Sequence, residues 1–123
     1  MRKVVIRNLN SPEAQPLVAT YCSSFSCQLR GLTFRRQLGS KEGLLLVQRR
    51  DSRLEAAIHM LGMLMDLAVV WINTGMQVVD VRLAKRWRPL YVPKLPARYV
   101  LETAPERLRD FKIGDEIHFD ESI

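Results

Sequence analysis

Between Ala56 and Ile72 only His59 and Asp66 are strongly polar, and few folds accommodate a run of that kind. A membrane-spanning helix needs roughly 20 apolar residues, and a carboxylate at mid-span costs about 2.5–3.5 kcal/mol. The run is shorter than that and carries Asp66 inside it, so no membrane span is expected. Its second half, Leu67 to Ile72, is rich in Val and Ile with Trp71, residue types that pack well on a pleated surface. Two buried strands, joined through the region around Gly62 to Asp66, account for the run.

Alternation and turn residues extend the pattern. Val4, Ile6 and Leu9 recur at strand spacing within Arg2 to Leu9, before Asn10-Ser11-Pro12 turns the chain. Leu17 to Tyr21 is a second short strand. Leu44 to Val47 is another, entered from the loop Gly39 to Gly43 and closed by Arg49-Arg50-Asp51-Ser52. Asn73-Thr74-Gly75-Met76 separates the Leu67 strand from Gln77 to Leu83, where Val79, Val81 and Leu83 alternate with Asp80 and Arg82, and the pair reads as a β-hairpin. Residues 84–96, with three prolines and four basic residues, form an irregular connection. Ala97 to Glu102 and Glu116 to Phe119 are the last strands.

Two short helices are expected as well. Ser23 and Ser24 can cap one that runs to about Leu32 and buries Phe25, Leu29 and Leu32. Pro105 opens the other, which ends at Phe111, and its missing N–H is harmless in a first turn. Seven or eight short strands without βαβ alternation predict a mainly β domain, a small antiparallel sandwich or barrel-like fold with two short helices. A chain of 123 residues that is 47% hydrophobic suits one such domain over residues 1–123.

Exclusions narrow the chemistry. Arg2-Lys3 is followed by only three apolar residues, short of the roughly 7–15 of a secretory leader, so a cytoplasmic protein is expected. Cys22 and Cys27 lack the C-x2-C spacing and the second pair of a zinc site, so reduced, partly buried thiols are expected. Two histidines and two such cysteines make no metal centre, and no cofactor is expected. No G-x-S-x-G and no Gly-rich phosphate loop occur, and capping explains Ser23, Ser24 and Ser26. No catalytic residue is assigned.

Three blocks of the chain resemble domain of unknown function family 192. Arg30-Gly31-Leu32-Thr33-Phe34-Arg35, Leu38 and Gly43-Leu44-Leu45-Leu46-Val47 are similar to its RGLMFR…L…GMLFVF block without a gap. Ile58-His59-Met60-Leu61-Gly62-Met63, Val69-Val70-Trp71-Ile72 and Val78-Val79 are similar to IHTFFM…DVVFL…RVV. Ala97-Arg98-Tyr99-Val100-Leu101-Glu102 and Gly114-Asp115 are similar to ARYVLE…GD. Together these cover most of residues 17–117. The resemblance implies a small β-sandwich-like domain and no particular activity. The chain departs from the pattern where the family's Asp falls on Ala68, where Asp66 replaces a Pro, and where Gly62 replaces an aromatic residue.

The remaining candidates follow from side-chain chemistry. His59 within its apolar run reads as a core histidine satisfied by one hydrogen bond, or as an acid–base group oriented by Asp66. His118 faces solvent by alternation. Met60, Met63, Met65 and Met76 read as core, with an adaptable binding surface as the alternative. The net charge of +6 is concentrated: residues 27–53 and 80–98 each carry +5, and residues 100–123 carry −4. The second basic stretch interleaves Lys85, Arg86, Trp87, Arg88, Tyr91, Lys94 and Arg98, a mixture that can hold phosphates while bases stack. The candidate binding residues are therefore Arg30, His59, Met63, Asp66, Trp87, Arg88, Tyr91 and Arg98. The expected function is a small binding or accessory domain for a small molecule or protein, and the site requires Arg30, His59, Met63 and the Trp87–Tyr91 loop to converge. The alternatives are an anionic partner such as nucleic acid on the two basic stretches, and an enzyme using His59.

Overall fold

Seven strands make one sheet in the computed structural model, which describes residues 2–24, 27–28, 31–32 and 35–121. They are β1 (Lys3–Asn8), β2 (Leu17–Cys22), β3 (Glu42–Ser52), β4 (Leu67–Ile72), β5 (Val78–Ala84), β6 (Ala97–Thr103) and β7 (Ile117–Asp120), in the order β5-β4-β6-β3-β2-β1-β7. Neighbours are antiparallel except β2 and β3, which run parallel with Thr20 opposite Leu44. The sheet is otherwise antiparallel as expected, and between β2 and β3 the described residues Cys27 and Leu32 pack against one of its faces. The turn at 73–76 joins β4 and β5 as the expected hairpin, with Val70 opposite Val81.

The sheet curls into a half-barrel. Tyr99 of β6 and Phe119 of β7 are far apart in strand order, yet their rings meet edge-on at 5.0 Å. At one end the two outer strands touch. Gln77 bridges to Glu116, the Val78 N–H donates to the Asp115 carbonyl at 2.9 Å, and the Ile117 N–H donates to Met76 at 2.8 Å. Gly114 allows this closure, because its φ of +96° is one that other residues rarely adopt.

Both faces of the sheet are covered, which explains a β4 in which every residue is buried. Val4, Ile6, Leu17, Leu45, Val70, Leu101 and Ile117 fill the inside of the curl. Leu44, Leu46, Val69, Trp71 and Val100 face outward, as period-two alternation requires. They are covered by Cys27 and Leu32 from the crossover, by Ala56, Ile58, Met60, Met63 and Met65, and by Tyr91. Each large apolar side chain buried this way contributes roughly 1.5–3 kcal/mol.

Several local expectations change. The first half of the Ala56–Ile72 run is not a strand: it is an irregular cover, joined to the 84–96 connection by a bridge between Ile58 and Tyr91 and by backbone bonds of Met60 with Trp87 and Arg88. β3 continues past Val47 to Ser52 because an irregularity in its pairing with β6 lets the polar tail stay attached. A 3-10 helix spans Pro105–Asp110, where the helix opened by Pro105 is expected. Of the residues on which the expected helix from Ser23 to about Leu32 rests, Phe25 and Leu29 lie outside the described residues and Leu32 is buried; Cys27 and Gln28 are helical, and Ser24 Oγ accepts the Cys27 N–H at 3.2 Å. Cys22 and Cys27 are not free thiols but a disulfide, with Cα atoms 5.7 Å apart. Among the described residues no helix is long and apolar enough to cross a membrane.

Candidate functional site

Glu102 breaks the apolar pattern of the outward core. It lies two residues beyond Val100 on β6, so alternation turns its side chain toward the same covered face. Leu44 of β3 and Val69 of β4 are its register partners. Gly43 keeps β3 close at this point, since a Cβ there would sit 2.9 Å from the Glu102 carbonyl oxygen. The residue is 6% exposed, and among the described residues its carboxylate has no hydrogen bond or ion pair. Burial alone pushes the carboxyl up to about 7, the response expected of a charge placed in a medium that solvates it poorly.

Above Glu102 the cover leaves a cleft of about 190 Å³. Leu32, Leu46, Ile58, Met60 and Met63 supply apolar walls, and Gln28, Gln48, Glu55 and His59 the polar ones. The wall at 53–57 is pinned by the buried Trp71 Nε1–H, which donates to the Ala56 carbonyl at 2.7 Å. The Arg50–Glu55 ion pair at 3.0 Å and the Arg53 guanidinium on the Pro93 carbonyl at 2.9 Å hold it from outside. The opposite wall is tied down by Gln28, whose amide donates to the Val47 carbonyl at 2.9 Å and to the Cys22 carbonyl at 3.2 Å. Gln48 in turn donates to Gln28 Oε1 at 3.0 Å. The disulfide fixes the start of that wall.

The strands flanking this cleft carry the sequence blocks that distinguish the chain, and the comparison with known families agrees. The profile of domain of unknown function family 192, described as "Uncharacterized ACR", matches residues 7–119. The chain belongs to this family. Among curated relatives, a UPF0127 protein of Thermococcus gammatolerans is 38% identical over 99 residues, which is 79% of this chain and 63% of that protein. A UPF0127 protein of Pyrococcus furiosus is 30% identical over 106 residues, 84% of this chain and 87% of the relative. The matches to two further Thermococcus proteins span only 57% and 51% of their lengths.

Solved structures share the fold at low identity. A protein of unknown function from Novosphingobium aromaticivorans superposes with a TM-score of 0.78 at 20% identity, over 94% of this chain and 83% of that one. A protein from Sinorhizobium meliloti, described as a candidate transcription regulator, gives 0.81 at 19% identity, over 96% and 92%.

On this family 192 fold the sequence-derived candidates separate. His59 and Met63 reach the cleft. His59 is exposed, because Ile58 and Met60 turn inward on either side of it, so it is neither a core histidine nor a partner of Asp66. Asp66 instead receives the Arg86 backbone N–H at 2.9 Å, with the Arg86 guanidinium at 3.1 Å and Lys85 at 3.9 Å. That backbone bond, reinforced by the two cations, holds its carboxyl below the usual range. Tyr91 is buried as a strut: its backbone pairs with Ile58 and its hydroxyl accepts the Lys85 N–H at 2.7 Å. Arg88 lies over the Tyr91 ring, and Arg98 bonds the Gln48 carbonyl at 3.0 Å. Trp87 is 55% exposed on a left-handed turn (φ +66°) and does not line the cleft. Arg30 lies outside the described residues. The expected convergence is thus met by His59 and Met63 and not by the Trp87–Tyr91 loop.

Glu102, Gln28 and Gln48 were not singled out by the sequence. A signal for Glu102 existed: within Val100-Leu101-Glu102-Thr103 it shares parity with Val100, a charge on the core side of a central strand. Nothing local marks the two glutamines, whose role depends on the crossover landing beside β3. Among the described residues no group of three His, Cys, Asp or Glu is placed to hold a metal ion.

Proposed function

We propose that this chain is a binding domain whose cleft above Glu102 takes a small molecule or a side-chain-sized group of a protein partner, without chemistry of its own. The observation that carries this reading is a nine-tenths buried carboxylate, without a hydrogen bond or ion pair among the described residues, facing an open, largely apolar cleft. Buried charges are normally paired, and apolar clefts with a few convergent polar groups are the usual form of ligand sites. The volume, below the roughly 300 Å³ at which drug-sized sites begin, favours a small group. A fragment screen followed by amide NMR shifts tests it. Hits should perturb Leu46, Gln48, His59 and Met63 and disappear in Ala57→Trp, which fills the cleft. Hits that cluster elsewhere on the domain would refute the reading.

The nucleic-acid alternative draws less support from the geometry. In the 80–98 stretch Arg82 is bonded to Asp80 and the Val92 carbonyl, Arg86 to Asp66 and Arg98 to Gln48. Guanidiniums committed to their own chain are poorly placed to neutralise phosphates. Salt-sensitive binding to generic RNA or DNA at low salt would revive that alternative. The enzymatic reading keeps one supporting fact, that His59 lines the same cleft as Glu102. The Cys22–Cys27 disulfide supports an oxidising working compartment in place of the cytoplasm.

A further inference from the structure

We propose that the group received by this cleft is an ammonium ion on a short alkyl stem, carried by a free amine or by a lysine side chain of a partner. The inference rests on the binding reading above and adds the charge and hydrogen-bonding character of the ligand.

The argument is an inventory of what the walls still offer. The titratable groups among the described lining residues are Glu55, His59 and Glu102, and none of those described residues is a lysine or arginine. Among the described residues, the cations of a chain of net charge +6 lie outside this cavity. The donors of the Gln28 amide are spent on the Val47 and Cys22 carbonyls, and Gln48 uses one of its two N–H donors on Gln28 Oε1. Gln48 Oε1 remains as an acceptor near the mouth, and the Glu102 carboxylate as an acceptor on the floor. The Met60 and Met63 thioethers add soft, weakly accepting surface. Strands β3 and β4, packed on either side of Glu102, present Leu44, Leu46 and Val69 there and no charge.

Apart from one Gln48 N–H and the His59 ring, the described side chains of the site accept, and its floor is a carboxylate, so it is complementary to a cationic group that only donates. An ammonium has three donors and no acceptor, and it brings the opposite charge that an ionised buried carboxylate lacks. A carboxylate or phosphate ligand would meet repulsion from Glu102. A neutral alcohol would satisfy one hydrogen bond and leave the charge uncompensated. The alkyl stem belongs against Leu32, Leu46 and Ile58, as lysine stems lie along apolar surface with the charged head beyond.

Three probes of matched size separate the possibilities: n-butylammonium, 1-butanol and butyrate, each titrated at pH 8 while the amide shifts of Leu46, Gln48, Met63 and Glu102 are followed. Butylammonium is expected to bind at least about tenfold more tightly than butanol, with butyrate not binding, and Glu102→Gln should remove most of the difference. Ionisation of Glu102 is required, so affinity should fall about tenfold per pH unit below 7. The same fall in His59→Gln would show that it does not come from repulsion by a protonated His59. N-acetyl-lysine methylamide binding more tightly than butylammonium would assign the source to a protein partner, and the reverse to a free amine. Equal or better binding of butanol or butyrate would overturn the ammonium inference and leave the binding reading standing. No shift at the cleft with any probe would overturn both. A Glu102 carboxyl that titrates in the ordinary range in the free protein would also overturn it, since the group would then already have a partner.

Discussion

Glu102 acts in opposite directions on folding and on binding. Its carboxyl titrates at about 7 in the folded chain against an ordinary 4.5. Between those values the folded state holds a proton that the unfolded chain has released, so stability is highest below about pH 4.5 and falls as pH rises to 7. The loss levels off above pH 7 at roughly 3 kcal/mol. Glu102→Gln is expected to match the parent near pH 4.5 and to exceed it by up to that amount at pH 8, measured by urea unfolding at the two pH values. A flat profile in the parent would mean that the carboxylate is already compensated. Parity with Val100 puts this residue on the covered outer face of the sheet. Its lack of a partner was not legible, because that depends on what the crossover and the 54–65 cover bring above it. His59 illustrates the reverse error: an apolar neighbourhood in sequence suggested burial, whereas an extended segment turns every second side chain away.

The elements that the sequence made plain are those with a local rhythm. The β4–β5 hairpin follows from Val and Ile runs around a Gly-containing turn, and Pro105 marks the start of the 3-10 helix. The 54–61 segment misled because apolar content was present without a partner strand to use it, and its residues became a cover. Two side chains hold elements together across distance, and each makes a prediction. Arg107, buried in the 3-10 helix, donates to Asp110 at 2.5 Å and to the carbonyls of Ser40 and Gln15, tying three segments to one guanidinium. Arg107→Met should lower the unfolding free energy by roughly 3 kcal/mol. Arg107→Lys should recover only part of that, since an ammonium cannot span the same fork; denaturant curves for both variants decide it. The Cys22–Cys27 bridge closes a short loop, for which chain entropy gives about 2 kcal/mol. A Cys22→Ala/Cys27→Ala double variant should lose about that much. Thiol titration of the parent, unfolded without reductant, should find no reactive cysteine if the bridge is formed.

At the scale of the whole molecule the sheet is organised by contacts that no local pattern announces. The parallel β2–β3 pair and the meeting of β5 with β7 both join distant parts of the chain. Ile117 sits where that closure is made, 2% exposed, with its N–H on the Met76 carbonyl. Ile117→Ala should cost about 2–5 kcal/mol. Because β7 pairs with β1 and touches the start of β5, faster hydrogen exchange should appear together at Val5 and Val78. Exchange that rises on β7 alone would show that the seam is not a cooperative part of the fold.

The separation of charge between surface and cleft has a kinetic consequence. With +6 on the chain and carboxylates inside the cleft, a cation diffusing toward the site first crosses a repulsive field and is attracted only on entry. Added salt shortens the range of that outer field, to about 8 Å at physiological ionic strength, while affecting the sheltered carboxylate less. Association of a small amine should therefore speed up as salt is raised, the reverse of what electrostatic steering gives most charged pairs. The mouth of the cleft would then act as a filter on arrival rate as well as on affinity.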